Sequence, residues 1–232
     1  PNRVRYSMTD TVIVSGGMIQ KDFALDFLKK LQNENGEKKL RFIAADRGLD
    51  FFRETGLAPD IVDGDFDSVS EEGKAYLDSL TEAEVIKLHP EKDDTDTQSA
   101  VNLAIQKGAR NILILGATGG RLDHFLGNLG ILTLGKQKNV QVALVDEQNY
   151  LCLAESGTRL FREKQFGKYV SFFPVGGEVK GLTLEGFKYA LNGYDLTVAD
   201  CGLTVSNEIQ EEEARISYKK GSLLMIMSRD RR

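Results

Sequence analysis

At 232 residues the chain can hold one large domain or two modest ones, and its 41% hydrophobic and 28% charged content is that of an ordinary globular protein. A formal net charge of −5 argues against the basic footprint of a nucleic-acid-binding surface, but allows a small phosphate-bearing ligand met by a few local cations or a bound metal. No run of 18 apolar residues is available to span a membrane, and no secretory signal pattern is read. Cys152 and Cys201 lack metal-ligand spacing and are too few for a disulfide framework, which fits a reducing, cytoplasmic setting. Pro1 is not an initiator residue, and Met8 is read as a candidate native start.

In chain order, Thr11–Ser15 is a short β-branched run followed by Gly16-Gly17. Phe23, Phe27, Leu28 and Leu31 then recur at helical spacing up to a polar turn ending in Gly36. Leu40–Ala44 reads as a second strand entering Ala45-Asp46-Arg47-Gly48, and a short helix through Leu49, Phe52 and Thr55 leads to Pro59. Ile61-Val62 opens a third strand. Beyond it, 71–80 is expected helical, 84–88 extended, 96–107 helical, 111–115 extended, about 121–136 helical and 140–145 extended. Strands alternating with helices at this spacing imply βα units and a mostly parallel sheet.

After Asp146 the texture changes. Short extended runs are expected at 150–154, 169–173, 181–184, 194–198, 202–206, 214–218 and 222–227, separated by turns that often contain glycine. Such spacing reads as an antiparallel sandwich or barrel. The expected organisation is therefore an α/β part over 1–148 and an all-β part over 149–232, with Glu211–Glu213 as a solvated turn.

The chemistry-bearing residues fall at expected strand ends, where open α/β sheets bind ligands. Asp63, Asp65 and Asp67 are spaced by two, so in an extended segment they would project to one side. Two carboxylates ~4 Å apart repel by about 1 kcal/mol in water and about 4 kcal/mol at an effective dielectric near 20. The stretch is either an exposed acidic turn, with Gly64 giving the bend, or half of a divalent-metal site. A second acidic cluster, Asp93-Asp94-Thr95-Asp96, opens a helix, and Thr95 with Gln98 fits a capping box. The helix dipole accounts for one or two acids there, but not for three beside Lys92. If this helix start lies against the Asp65/Asp67 loop, Mg²⁺ is the natural neutraliser, because carboxylates are hard ligands. Two histidines and two scattered cysteines argue against zinc. In Gly116–His124, Gly119 and Gly120 let backbone amides approach a phosphate, and Arg121 offers a bidentate clamp, although the stretch is neither a Walker A loop nor a dinucleotide fingerprint. A plain glycine turn before a helix is the alternative reading, and His124 is a weak candidate base.

These motifs together resemble the thiamine pyrophosphokinase family. The resemblance rests on Ala45–Gly48, Gly64-Asp65-Phe66-Asp67-Ser68, Lys92–Asp96, Gly119–His124, Gly186–Leu191 and Val205–Glu208, in order along nearly the whole chain. It implies a Rossmann-like α/β domain that binds ATP and Mg²⁺ and carries the catalytic residues, with helices on both sheet faces. It also implies a β-sandwich domain for thiamine binding and dimerisation. The implied reaction moves a pyrophosphoryl group from ATP to the thiamine hydroxyl and releases AMP, in a homodimer whose sites are completed by the partner subunit.

Residue by residue, the resemblance implies that Asp65, Asp67 and Asp96 hold Mg²⁺. Thr95, Gly119, Gly120, Arg121 and Asp123 would position the nucleotide and reacting groups, Asp46 would line the same cleft, and Ser206 and Asn207 would meet thiamine. Asp67, Asp96, Arg121 and Asp123 are the implied catalytic set, with Asp96 and Asp93 as candidate acceptors of the hydroxyl proton. Arg47 stands where many members carry glycine, and no Trp is present to stack on the pyrimidine. Two other readings stay open: a hydroxymethylpterin as acceptor, and a Mg²⁺- or nucleotide-binding module without turnover.

Overall fold

The structure is a computed structural model and describes residues 8–67, 69–87, 94–200 and 202–231. Pro1, Ser68, Lys92, Asp93 and Cys201, all named above, lie outside the described residues. The chain forms two compact units, Tyr6–Glu147 and Gln148–Arg232.

In the first unit, strands and helices alternate. The strands are β1 (Thr11–Val14), β2 (Arg41–Ala45), β3 (Ile61–Gly64), β4 (Glu84–Lys87), β5 (Asn111–Leu115) and β6 (Gln141–Val145). Between them run α1 (Lys21–Asn35), α2 (Leu49–Thr55), α3 (Glu71–Ser79), α4 (Asp96–Gln106) and α5 (Leu122–Gln137). The six strands are parallel in the order β4-β3-β2-β1-β5-β6. β1 and β5 are near-continuous apolar runs because Val12, Ile13, Val14, Leu113 and Ile114 are all buried, as expected for strands covered on both faces. Helices α1 and α2, α2 and α3, and α4 and α5 pack on one another.

One close approach fixes the connection after β2. A Cβ on Gly48, in the short 3-10 turn Asp46–Gly48, would lie 1.8 Å from the Val14 carbonyl oxygen, so the turn packs backbone to backbone on β1. Gly48→Ala is expected to cost about 3 kcal/mol through overpacking, lowering the thermal midpoint by roughly 6–12 °C for a chain of this size. A calorimetric loss under about 1 kcal/mol would show that the two backbones are not in contact.

The second unit is antiparallel. One sheet takes β7 (Asn149–Ala154), β13 (Leu223–Ser228) and β9 (Tyr169–Pro174) in the order β7-β13-β9. The other has the order β11-β10-β12-β8, from β11 (Leu191–Leu196), β10 (Val179–Glu185), β12 (Glu213–Ser217) and β8 (Thr158–Phe161). Phe172 of β9 packs edge-on against Phe187 at 5.6 Å within the core.

Two expectations fail here. Residues 202–206 form a turn and not a strand, because Ser206 has φ +54° and the Thr204 hydroxyl bonds the Phe172 carbonyl. Glu213 is not part of a solvated turn: it lies in β12 between Arg159 and Arg215, whose hydrogen bonds hold its carboxyl down to about 2.

Candidate active site

Strand order reverses direction at β1, with β2 to β4 on one side and β5 and β6 on the other, so β1 and β5 flank the switch point of the sheet. There Gly17 donates its N–H to the Gly116 carbonyl at 2.9 Å. Gly116 has φ +74°, and a Cβ on it would stand 2.4 Å from the Ser15 oxygen. No other residue fits this meeting of loops. The loop that follows is held from behind. Buried Asn128 of α5 donates to the Ala117 carbonyl at 2.8 Å, and the Thr118 hydroxyl donates to Asp146 at 2.6 Å. The exposed Gly119 and Gly120 are thereby presented on a fixed base.

The acidic residues arrive from β2, β3 and α4. Asp46 follows β2 directly and is buried, with φ +46°. Asp63 pairs in register with Ala45 and is also buried. β3 ends at Gly64, and Phe66 has φ +64°, so period-two projection stops there. The expected convergence of Asp63, Asp65 and Asp67 on one side of an extended segment therefore fails: Asp63 is interior, Asp65 half-buried and Asp67 exposed. Asp65 Oδ1 accepts the Asp67 N–H at 3.0 Å, and Asp46 Oδ1 accepts the Phe66 N–H at 3.2 Å.

Thr95 caps α4, its hydroxyl accepting the Gln98 N–H at 3.2 Å. Only half of the expected capping box forms. The Gln98 side chain donates to Asp94 Oδ1 at 2.7 Å, and Asn102 donates to Asp94 Oδ2 at 3.2 Å, so Asp94 is tied into its own helix. The Ser15 and Thr97 hydroxyls share a 2.7 Å hydrogen bond that ties the start of α4 to the end of β1. α4 also packs on β2 and β3, which brings Thr95 and Asp96 to the end of the sheet where the acid loop lies. Among the described residues, no group of three or more acidic, His or Cys side chains is drawn together tightly enough to hold a metal. In kind, the oxygen donors of Asp65, Asp67 and Asp96 suit a hard cation such as Mg²⁺.

Arg121 and Asp123 flank the start of α5, and they meet each other. Arg121 Nε and Nη2 donate to Asp123 Oδ1 and Oδ2 at 3.1 and 2.5 Å, with both side chains largely exposed. This hydrogen-bonded pairing holds Asp123 down to about 2 and raises Arg121 further. Asp123 is therefore too weak a base to take a proton near neutral pH. What it does is orient the guanidinium, which keeps N–H donors beyond the two committed to Asp123. The exposed His124 donates its backbone N–H to Asp123 Oδ1 at 2.9 Å.

In the second unit, Ser206 is exposed in its left-handed turn, and its N–H donates to the Ser171 hydroxyl at 2.9 Å. Asn207 is buried. Its side-chain oxygen accepts the N–H groups of Tyr189 and Glu208, and its amide donates to the Tyr189 carbonyl at 2.8 Å. It thus fixes the backbone of Tyr189, an aromatic residue left 55% exposed.

Residues 32–144 match the family model described as thiamin pyrophosphokinase, catalytic domain, and 158–223 match thiamin pyrophosphokinase, vitamin B1 binding domain. The chain belongs to the thiamine pyrophosphokinase family. It is accordingly an enzyme of thiamine pyrophosphorylation. The thiamine pyrophosphokinase of Bacillus subtilis (strain 168) is 36% identical over 192 residues, 82% of this chain and 87% of its own length. A crystal structure of thiamine pyrophosphokinase from Bacillus subtilis superposes with a TM-score of 0.81 at 31% identity, covering 95% of this chain and 99% of that one. One of thiamin pyrophosphokinase from Geobacillus thermodenitrificans gives 0.77 at 32%, covering 95% and 97%.

Within this thiamine pyrophosphokinase-family chain, the acid loops, the α4 start and the Arg121 loop all fall in the catalytic match, and Ser206 and Asn207 fall in the vitamin B1 binding match. Ser15, Thr97 and Asn128 escaped the sequence reading, because nothing in their neighbourhoods signals which backbone or hydroxyl each will meet. Phe66 escaped it too, since an aromatic residue gives no sign of a left-handed backbone.

Proposed function

We propose that this enzyme transfers a pyrophosphoryl group from ATP to the hydroxyl of thiamine, giving thiamine pyrophosphate and AMP. The observation that carries the reading is that Asp65, Asp67, Asp96 and Arg121 reach the end of one parallel sheet where the switch point lies, in a chain whose two halves match the family's catalytic and vitamin B1 binding domains.

In this reading, residues 1–148 are the ATP-binding catalytic domain and 149–232 the thiamine-binding and dimerisation domain. The first is Rossmann-like with helices on both faces, a layering supported by its parallel strands being joined through helices and by the near-complete burial of β1 and β5. The second is a sandwich of its two sheets, supported by buried side chains contributed from both.

Asp65, Asp67 and Asp96 would hold Mg²⁺, which when bound neutralises charge on the phosphate oxygens. Arg121, oriented by Asp123, offers its remaining donors to the phosphates, and Thr95 with the Gly119-Gly120 backbone lines their approach. The thiamine hydroxyl oxygen attacks the β-phosphorus in line, the bond from that phosphorus to the oxygen bridging the α-phosphate breaks, and AMP leaves with that oxygen. The hydroxyl proton passes to a carboxylate, with Asp96 the candidate among the described residues and Asp93 the other. Ser206 meets thiamine, and Asn207 serves by shaping the turn that presents Ser206 and Tyr189. The exposed Val198, Leu203, Val205 and Tyr194 support a homodimer with its site completed at the subunit interface, and the two-thiol composition supports a cytoplasmic setting.

The test is incubation with ATP, Mg²⁺ and either thiamine or a hydroxymethylpterin, measuring AMP and the diphosphorylated product. AMP and thiamine pyrophosphate in the thiamine arm are expected. AMP only with the pterin would reassign the acceptor, and no AMP in either arm would leave only a binding module. Light scattering on the same preparation is expected to give twice the chain mass; the mass of one chain would remove the dimer.

A further inference from the structure

We infer that Asp46 and Phe66 form a latch that sets the positions of the Asp65 and Asp67 carboxylates, with Asp46 acting as the hydrogen-bond acceptor for the Phe66 amide. The inference rests on the proposed role of the acid loop and goes beyond it. It makes Asp46 a positioning residue, where the resemblance implied a contact in the nucleotide cleft.

Four non-glycine residues among those described have positive φ: Asp46, Phe66, Asn139 and Ser206. Asn139 lies just after α5, where helices commonly end in a left-handed residue, and Ser206 belongs to the second unit. The remaining two are hydrogen-bonded to each other at the candidate site, Phe66 N–H to Asp46 Oδ1. Asp tolerates this backbone region, but an aromatic residue is held there only when its surroundings over-determine it.

The surroundings do so from three directions. The Phe66 side chain is buried, its N–H is taken by Asp46, and its carbonyl accepts the Val69 N–H at 3.4 Å. The chain can approach Asp46 this closely because residue 64 is glycine: a Cβ there would come within 3.0 Å of the Asp46 Cα and 3.2 Å of its Cβ. Asp65 and Asp67 sit on either side of the latched residue. If Phe66 returned to an extended backbone, both carboxylates would be re-aimed, because successive residues would again alternate sides.

Asparagine at position 46 keeps a carbonyl oxygen for the Phe66 N–H and loses the charge, whereas alanine loses both. In the ligand-free protein, hydrogen exchange at the Phe66 amide is expected to stay slow in Asp46→Asn and to accelerate about tenfold or more in Asp46→Ala. In turnover, Asp46→Ala is expected to lower kcat about 100-fold, the scale of a small misplacement of catalytic groups, with the KM for ATP changing less than about threefold. Asp46→Asn should stay within about fivefold of wild type.

Equal impairment of the two variants would overturn the latch, since the charge would then be what matters. So would unchanged exchange and kcat in Asp46→Ala. Where Asp46→Ala does not fold, a folded Asp46→Asn that loses Phe66 protection or turnover overturns it alone. If the wild type makes no AMP, the functional reading fails, and the exchange measurement still judges the latch.

Discussion

Asp67→Asn is expected to abolish measurable turnover, with kcat falling by about 10³-fold or more, while the fold stays intact. Asp67 is exposed, and its own N–H is already taken by Asp65 Oδ1, so its carboxylate does no packing work that an amide could not copy. A surface substitution of this kind shifts stability by less than about 0.5 kcal/mol, or roughly 2 °C in midpoint at most. What the amide cannot copy is the negative charge and the ligand strength toward a hard cation. The effect should therefore fall on kcat and on the Mg²⁺ concentration needed for half-maximal rate, and not on the circular dichroism or the midpoint. Near-normal activity at saturating Mg²⁺ would remove Asp67 from the proposed metal set. Asp65→Asn is the internal comparison. Its half-buried side chain keeps, as an amide, an oxygen to accept the Asp67 N–H, so it too should lose rate with little change in stability.

The α/β half was legible in the sequence because its signals are local. Apolar runs of four or five residues became β1, β2, β5 and β6, and Thr95 announced the start of α4. Signals that depend on tertiary partners misled. The Gln98 side chain turned from Thr95 to Asp94, since Asp94 already sat where a carboxylate could take both Gln98 and Asn102. β8 was not anticipated: in Thr158–Phe161 buried Thr158 and Leu160 alternate with Arg159 and Phe161, too short a period to stand out. Residues 202–206 looked extended by composition, but side-chain hydrogen bonds to β9 bend them into a turn. For the site, residue types and strand-end placement were readable, while their division of labour was not. Whether an aspartate ends up buried, exposed or paired with an arginine depends on backbone angles at Phe66 and on the reach of Arg121. Neither leaves a mark in residue spacing.

Arg121→Ala should be nearly as damaging as Asp67→Asn, lowering kcat about 10²–10³-fold, with the thermal midpoint unchanged because its ion pair is 74% and 62% exposed. Arg121→Lys should recover little, since an ammonium cannot reproduce a planar fork that grips Asp123 with two N–H groups and keeps others for a phosphate. Asp123→Asn separates orientation from charge: the guanidinium keeps its charge but loses its bidentate holder, so a smaller loss of about tenfold is expected. The pH dependence gives a further check. A carboxyl lowered to about 2 keeps its ion pair in full above the ordinary value of 3.8 and loses it only as pH falls toward 2. The pair therefore contributes no inflection between pH 5 and 9, and the rate profiles of the wild type and Asp123→Asn should keep the same shape over that range. If an inflection present in the wild type vanishes in Asp123→Asn, Asp123 is the group that titrates, and its role is proton transfer and not the orientation of Arg121.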